Sequence, residues 1–264
     1  QNHYMDNELW IGLGGATSEF YSREYVTGNL ENVSFGGYDV VDEVLWIKLK
    51  MKDIFEFEST MNNGKLTIKM DKPQNVYDKI LVIDAGHGGD DKGHIEGRLC
   101  EKDIALDILL FLQEKFGESD IKVYYTRTDD TNVHNEKRVA LANSVKADML
   151  VSIHTSFSED ILEAGVTTIY NGEYFIQDFD SIALADELER SVAGVTGARA
   201  NGLTEATEEE FLVNMAQVPV AQINVGYLSN EEERELLNES EYQKIIADGI
   251  YDAIIGIYEE ILEK

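Results

Sequence analysis

The ten residues from Ile80 to Gly89, ILVIDAGHGG, carry the strongest structural signal in this chain. The first six form a short apolar run that ends at a cluster of glycines, which is typical of a buried strand in a parallel sheet. The glycines let the backbone turn sharply and leave room for a ligand beside His87. Ligands bind beyond the carboxyl ends of the strands in open α/β sheets, so this turn is a candidate site. A lone histidine beside glycines is, however, more often a structural loop residue.

From residue 79 onwards, strand-like and helix-like patterns alternate along the chain. The predicted strands are 80–85, 121–126, 149–154, 166–170 and a segment within 218–227. The predicted helices are 101–116, 136–146, 181–192, a short helix from 230, and a last helix that runs from 240 almost to 264. Residues 79–264 are therefore expected to form an α/β domain with a mostly parallel sheet flanked by helices.

Residues 1–75 have a different pattern, made of short strands. Val44–Met51 alternates between apolar and other residues over much of its length. Two further strand-like segments flank Asn62-Asn63-Gly64, which predicts a hairpin. This part is expected to be a small, partial β domain that lacks an N-terminal portion, joined to the α/β domain by residues 73–78.

The charge of the chain is strongly acidic. Its 264 residues include 22 basic and 51 acidic side chains, which give a formal net charge of −29. Such a surface repels phosphate groups, so nucleic acid is not expected as a partner, and anionic membranes are disfavoured for the same reason. The simplest consequence of the charge is solubility. A hydrophobic content of 43% is sufficient for a sizeable core.

Cys100 is the single cysteine in the sequence, so no disulfide can form within the chain. No apolar run approaches the roughly 20 residues that a membrane helix needs, so no membrane span is expected. The first ten residues are polar and lack an initiating Met, and no signal peptide is recognisable in them. Such a start is expected of a mature or trimmed fragment. Whether an export signal was removed is therefore left open.

Two more residues are expected at the same edge of the sheet as His87. Glu101 opens the first predicted helix, and His154 ends the strand 149–154. Glu101 has a simpler explanation on its own, because the helix dipole favours a carboxylate in the first turn. Together, the two histidines and the carboxylate form a His₂Glu set. That set leaves zinc a fourth position for water, as in catalytic zinc sites.

Six short motifs extend this pattern. They are IDAGHGG at 83–89, CEKD at 100–103, TRTDD at 126–130, RVALAN at 138–143, ADMLVSIH at 147–154 and VGYLSN at 225–230. Their order and spacing resemble those of the amidase_3-type N-acetylmuramoyl-L-alanine amidases. The resemblance covers roughly residues 79–264.

This resemblance implies a zinc-dependent enzyme that cleaves the amide bond between N-acetylmuramic acid and L-alanine in bacterial peptidoglycan. The implied metal ligands are His87, Glu101 and His154. The resemblance further implies a secreted or cell-wall-associated protein whose partner is peptidoglycan. Residues 1–75 loosely resemble the small β domains that precede such amidases, which are often wall-binding or targeting modules.

At one important position the chain departs from the family. The family's late motif contains a Glu where this chain has Asn224, within QINVGYLSN at 222–230. In the family that Glu takes a proton from the attacking water and passes it to the leaving amine. An amide cannot accept a proton near neutral pH, although it can hydrogen-bond water or an oxyanion. We therefore expect a slow amidase or an inactive one, unless another carboxylate substitutes.

The candidate substitutes are Glu205, Glu208, Glu209 and Glu210. A solvated acidic loop is the simpler interpretation of this segment. A second departure is Ser156-Phe157, where the family usually has an Asn-Ala pair. It places a bulkier aromatic side chain near the expected metal site.

Several residues in or near the motifs are expected to be structural. Arg127 with Asp129 and Asp130 is interpreted as an exposed ion pair at a strand end. His94 is interpreted as a solvated loop histidine that could also reach the metal or the substrate. Cys100 is interpreted as a small loop or core residue.

The sequence leaves three functions open. The first is the amidase activity described above, in an attenuated form. The second is a non-catalytic peptidoglycan-binding or regulatory protein that retains the fold and the metal site, a hypothesis that Asn224 favours. The third is another zinc amide hydrolase, such as a peptidase, against which the motif order argues.

Overall fold

The computed structural model describes residues 1–15, 19, 30–172, 175–176 and 179–261. The chain divides into two compact units, Gln1–Val76 and Tyr77–Lys264. Among the described residues, no helix has both the length and the apolar character needed to cross a membrane.

The first unit is built from antiparallel strands. Its four-stranded sheet has the order β1-β2-β4-β3, with β1 Asn2–His3, β2 Glu8–Gly14, β3 Val33–Val41 and β4 Val44–Met51. A separate hairpin consists of β5 Glu56–Asn62 and β6 Lys65–Asp71. Asn63 and Gly64 form its turn with φ angles of 49° and 76°, as a tight hairpin turn requires.

The second unit contains a six-stranded sheet within the described residues, with the order β10-β7-β11-β16-β12-β15. Its strands are β7 Ile80–Ala85, β10 Lys122–Tyr125, β11 Met149–Ser156, β12 Val166–Tyr170, β15 Ala200–Glu205 and β16 Val220–Tyr227. The neighbours β10, β7, β11 and β16 are all parallel. β12 is antiparallel to β16, and β15 is parallel to β12. Two short antiparallel pairs accompany the sheet, β8 Ile95–Glu96 with β9 Leu99–Cys100, and β13 Phe175–Ile176 with β14 Phe179–Asp180.

Helices cover both faces of this sheet. They are α1 Glu101–Phe116, α2 Asn135–Val145, α3 Ser181–Thr196, α4 Phe211–Met215, α5 Glu231–Leu237 and α6 Ser240–Gly256. α6 packs against both α1 and α3, and the three helices share a core with alternate residues of β7, namely Leu81, Ile83 and Ala85. α2 packs against β7 and α4. The predicted α/β fold with a mostly parallel sheet, preceded by a small β region, is therefore confirmed.

Some elements differ from the prediction, including β15, α4 and the end of the last helix. β15 and α4 were not predicted, because Ala200–Glu205 has little apolar alternation and Phe211–Met215 is barely more than one helical turn. The last helix ends at Gly256 and continues as a π-helical segment, Ile257–Ile261. Residues 262–264 lie outside the described part of the chain.

Candidate metal centre

The carboxyl ends of β7 and β11 lie side by side and carry two of the predicted ligands. Ile153 pairs with Ala85 in the register of the two strands, and the Gly86 amide donates to the Ile153 carbonyl at 3.0 Å. His87 follows this contact directly, and His154 is the next residue on β11. A Cβ atom at Gly86 would lie 2.3 Å from the His154 ring, so only glycine allows this approach.

Glu101, the first residue of α1, lies next to both histidines. Its side chain is 1% exposed. His154 Nδ1 lies 2.8 Å from Glu101 Oε1, and His87 Nε2 lies 3.2 Å from Glu101 Oε2. One ligand atom from each of the three residues lies within 4.8 Å of the other two. The fold thus brings together His87, Glu101 and His154, the three residues on which the zinc hypothesis depends.

The Glu101 carboxylate is also fixed by the backbone. It accepts hydrogen bonds from the His94 amide at 2.9 Å and the Thr155 amide at 3.0 Å. Burial by itself raises the pKa of Glu101, but the hydrogen bonds from His154 and His87 outweigh burial and hold this pKa well below its ordinary value. The carboxyl is therefore an anion, as a metal ligand must be.

Asp91 orients the His87 ring from the opposite side. His87 Nδ1 lies 2.9 Å from Asp91 Oδ2, so the ring directs Nε2 towards Glu101. Metal-binding histidines commonly donate their second N–H to a carboxylate in this way. His87 itself has a φ of 59°, a left-handed conformation that is uncommon outside glycine and is often found at functional sites.

The donor set fits a zinc ion. Two imidazole nitrogens and one carboxylate oxygen are ligands that zinc accepts in catalytic sites. The surrounding backbone closes around them, because a Cβ at Gly93 would lie 2.5 Å from Glu101 Oε2 and 2.6 Å from the His87 ring. His87, Glu101 and His154 would together hold the ion.

Two buried arginines support the loop that carries His87. Arg138 is 2% exposed and donates to the carbonyl oxygens of Ala85 and His87, each at 2.6 Å. Arg127 donates to the carbonyl oxygens of Ala85 at 3.0 Å and Gly86 at 2.8 Å. These charged hydrogen bonds fix the backbone on the far side of the candidate ligands.

The interpretation of Arg127 as part of an exposed ion pair was wrong. Its side chain is buried, with 4% exposed. Asp130 instead pairs with Lys102 at 2.6 Å and accepts from the Gly89 amide at 2.8 Å. The burial of Arg127 could not be predicted, because the local sequence does not indicate which carbonyl groups a strand-end arginine contacts.

Asp84 completes the buried network beneath the site. Its carboxylate pairs with Arg138 and accepts from the hydroxyl groups of Ser152 and Thr126, each at 2.6 Å. Burial by itself raises the pKa of Asp84, but the Arg138 charge and the two hydroxyl groups hold it below its ordinary value. The network therefore contains a buried, fully paired carboxylate directly before the His87 turn.

Asn224 lies on β16 opposite His154 in the parallel register of the two strands. Its side-chain oxygen accepts from Gln222 Nε2 at 3.1 Å, and its side-chain nitrogen donates to Thr167 Oγ1 at 3.4 Å. Only 9% of Asn224 is exposed. The position therefore adjoins the candidate metal centre but is occupied by a neutral amide held by neutral partners.

The three candidate ligands and Asn224 line one cleft of about 540 Å³. Glu209 and Glu210 also line this cleft, whereas Glu205 and Glu208 are not among its lining residues. Glu210 accepts from the amide and the hydroxyl of Thr207, both at 2.8 Å. Of the four candidate substitutes for the missing carboxylate, two therefore border the cleft.

A set of three metal donors at the carboxyl edge of an α/β sheet, beside an open cleft, is the arrangement of a hydrolytic metal centre. Residues 81–256 match the model of the Amidase_3 family, described as N-acetylmuramoyl-L-alanine amidase. The chain belongs to this family. The predictions of the family and of the hydrolase class are thereby confirmed.

Characterised relatives agree with this assignment. The germination-specific N-acetylmuramoyl-L-alanine amidase of Bacillus subtilis is 30% identical over 198 residues, which cover 69% of this chain and 81% of that protein. The amidase LytC of the same organism is 25% identical over 249 residues, which cover 93% of this chain but only 48% of LytC. This chain thus corresponds to about half of LytC.

A solved structure shares the fold of the second unit. The catalytic domain of CwlV, an N-acetylmuramoyl-L-alanine amidase from Paenibacillus polymyxa, superimposes with a TM-score of 0.63 and 30% sequence identity. The match covers 69% of this chain and 99% of the CwlV domain.

Proposed function

We propose that this protein is a zinc-dependent amidase that hydrolyses the amide bond between N-acetylmuramic acid and L-alanine in peptidoglycan, at a rate attenuated by Asn224. The observation that carries the proposal is the convergence of His87, Glu101 and His154, whose ligand atoms lie within 4.8 Å of one another. Membership of the amidase family supports the substrate class.

The residues around the cleft have separate roles in the proposed reaction. Zinc, when bound, would polarise the amide carbonyl and lower the pKa of water. Glu101 and the two histidines would hold the ion, and Asp91 keeps the His87 ring in one orientation. Arg127 and Arg138 support the loop that carries His87 through their hydrogen bonds to its carbonyl oxygens.

Asn224 accounts for the attenuation. Its amide can donate a hydrogen bond to water or to an oxyanion, but it cannot take a proton from water and return it to the leaving amine. General acid–base catalysis typically contributes about 10²–10⁴-fold to a rate. The expected deficit relative to a family member with Glu at this position is therefore of about the same size.

Glu209 is the carboxylate best placed to restore part of this deficit. It borders the same cleft as Asn224, and its side chain is exposed. Glu210 is less suitable because its carboxylate already holds the Thr207 turn. A solvated Glu209 without a fixed position would transfer protons poorly, since general bases must be held within hydrogen-bond reach.

A second candidate function is a non-catalytic protein that binds peptidoglycan and retains the metal centre. The replacement of the catalytic Glu by Asn224 favours it. The peptidase hypothesis has no comparable support, because residues 81–256 match an amidase family.

For the protein as a whole, we propose a secreted or cell-wall-associated location with peptidoglycan as the partner. Relatives named as cell wall amidases, such as LytH of Staphylococcus aureus at 29% identity over 181 residues, support the location. We further propose that residues 1–75 act as a wall-binding or targeting domain. The alignment with LytC covers 93% of this chain and therefore includes part of this region.

The test is the release of stem peptides from purified peptidoglycan by the full chain, with zinc and after chelation. We expect slow release that requires zinc. A cell-wall sedimentation assay on the same samples separates the two functions. Binding without any release over long incubation would favour the non-catalytic function, and neither binding nor release would contradict both.

A further inference from the structure

Two aromatic rings form a stacked pair beside the candidate metal centre. His94 and Phe157 have ring centroids 5.2 Å apart and an interplanar angle of 12°. Both residues line the cleft that contains Glu101 and Asn224. Phe157 is nevertheless 45% exposed, so a large part of an apolar ring faces solvent at this place.

The backbone holds both rings in position. The His94 amide donates to the Glu101 carboxylate, and the Glu101 amide donates to the His94 carbonyl, each at 2.9 Å. The two residues that flank Phe157 are tied to the segment after β16, because Ser156 accepts from the Leu228 amide and the Ser158 amide donates to Ser229. The backbone on both sides of the exposed ring is therefore held in place.

Two parts of the cleft lining differ in chemistry. The stacked pair offers a flat apolar surface, whereas the segment Glu209–Phe211 presents two carboxylates. A pyranose ring has an apolar face of C–H groups that packs on aromatic rings, while its hydroxyl groups stay in water. A stem peptide carries charged groups, which pack poorly on an apolar ring.

The scissile bond fixes where a sugar must lie. In the proposed substrate, the lactyl group of N-acetylmuramic acid forms one side of the amide, so a pyranose ring sits a few bonds from the reacting carbonyl. When that carbonyl is at His87, Glu101 and His154, the sugar must occupy a wall of the same cleft. Phe157 lies one residue beyond the end of β11 and three beyond His154.

We propose that Phe157, supported by His94, is a sugar-binding platform that takes a pyranose ring of the glycan strand on the N-acetylmuramoyl side of the scissile amide. This inference rests on the proposed function. It assigns the glycan strand to the part of the cleft that His94 and Phe157 line.

The test uses soluble glycan fragments from which the stem peptides have been removed. These fragments contain no scissile amide, so their binding can be measured by calorimetry on the full chain whether or not the chain hydrolyses peptidoglycan. We expect Phe157→Ala to weaken binding roughly three- to tenfold, in line with the energy of an aromatic contact. Phe157→Tyr keeps the ring and should bind as the natural chain does.

Ile161→Ala is the matched control. Ile161 is an apolar residue 66% exposed in the same loop, but it does not line the cleft. Its substitution should leave glycan affinity unchanged. His94→Ala should weaken binding less than Phe157→Ala, and His94→Phe should preserve it, because the supporting stack is kept. Thermal unfolding of each variant confirms that it is folded.

The outcomes separate this inference from the proposed function. Equal glycan affinity for Phe157→Ala and the natural chain would overturn the platform, as would a loss that affects only free stem peptides. No glycan binding by the natural chain would also overturn it. Peptidoglycan hydrolysis could be present in all these cases, whereas its absence together with Phe157-dependent glycan binding would contradict the proposed catalysis alone.

Discussion

Glu101 and Asn224, which line the same cleft in the second unit, are held in different ways. Glu101 is fixed by two histidines and two backbone amides, with all four contacts between 2.8 and 3.2 Å. Asn224 makes longer bonds, at 3.1 and 3.4 Å, to the neutral side chains of Gln222 and Thr167. Among the described residues, these two networks share no hydrogen-bonding side chain. We therefore expect metal binding and proton transfer to be separable by substitution in this fold.

The largest effect is expected when one of the candidate metal ligands is replaced. Glu101→Gln keeps the shape of the side chain but removes the anionic donor that joins the two histidines. Structural zinc sites contribute about 10–16 kcal/mol, so removal of one of three donors should weaken zinc affinity on the order of a thousandfold. Competition with a zinc-binding dye measures the change.

Glu114→Gln is the control for this prediction, because Glu114 is exposed on the same helix. It should leave zinc affinity unchanged. Unaltered zinc affinity in Glu101→Gln would show that the metal binds elsewhere.

The buried network around Asp84 and Arg138 should contribute strongly to stability. Asp84→Asn leaves the Arg138 guanidinium, 2% exposed, without its anionic partner. Breaking a buried ion pair in this way costs about 3–5 kcal/mol in the free energy of unfolding. Chemical denaturation measures it. Asp120→Asn, which breaks a pair with Lys79 at an exposed carboxylate, should have a much smaller effect because solvent screens that pair.

This stability difference should depend on pH. The pKa of Asp84 is lowered in the folded state from its ordinary value of 3.8, so the unfolded chain binds the proton more readily. The stabilisation is present above the unfolded pKa and is lost as the pH falls through the lower folded pKa. The difference between the natural chain and Asp84→Asn should therefore be constant near neutral pH and shrink below about pH 4. A difference that grows in acid would contradict the assigned charge state.

A smaller effect is expected from the residue that orients His87. Asp91→Ala removes the carboxylate that lies 2.9 Å from His87 Nδ1. Loss of such an outer partner typically reduces metal affinity about 10–100-fold. Asp90→Ala, at the adjacent exposed position, provides the control. Equal zinc affinities for the two variants would show that the His87 ring needs no carboxylate to hold its orientation.

The smallest effect on peptide release is expected from substitution of Glu209, an exposed carboxylate that lines the cleft. Glu209→Gln should lower peptide release less than about threefold, because an exposed carboxylate without a fixed position is a poor general base. Glu208→Gln is the matched neighbour that does not line the cleft. A loss of about 100-fold confined to Glu209→Gln would identify Glu209 as the replacement base.

The sequence predicted the positions of the candidate ligands well because strand ends and helix starts leave local signals. The apolar run before His87, the strand before His154 and the helix that opens with Glu101 all lie where the pattern placed them. Parallel strands bring their carboxyl ends to one edge, so the meeting of these residues follows from the fold class.

Long-range pairing could not be predicted in the same way. The direction of β12, antiparallel to β16, depends on tertiary contacts and not on its own residues. The burial of Arg127 and the role of Asp91 depend on loops that fold over the strand ends. The stack of His94 on Phe157 joins residues 63 positions apart, which no local pattern indicates.

The most direct test of the account compares peptide release from purified peptidoglycan by the zinc-loaded natural chain, Asn224→Glu and Asn224→Gln. The account predicts that Asn224→Glu raises the rate about 10²–10⁴-fold, because it restores a general base beside an intact metal centre. Asn224→Gln, similar in size but neutral, should not raise it. A natural chain as fast as Asn224→Glu, or an Asn224→Glu variant that binds zinc but remains inactive, would contradict the account.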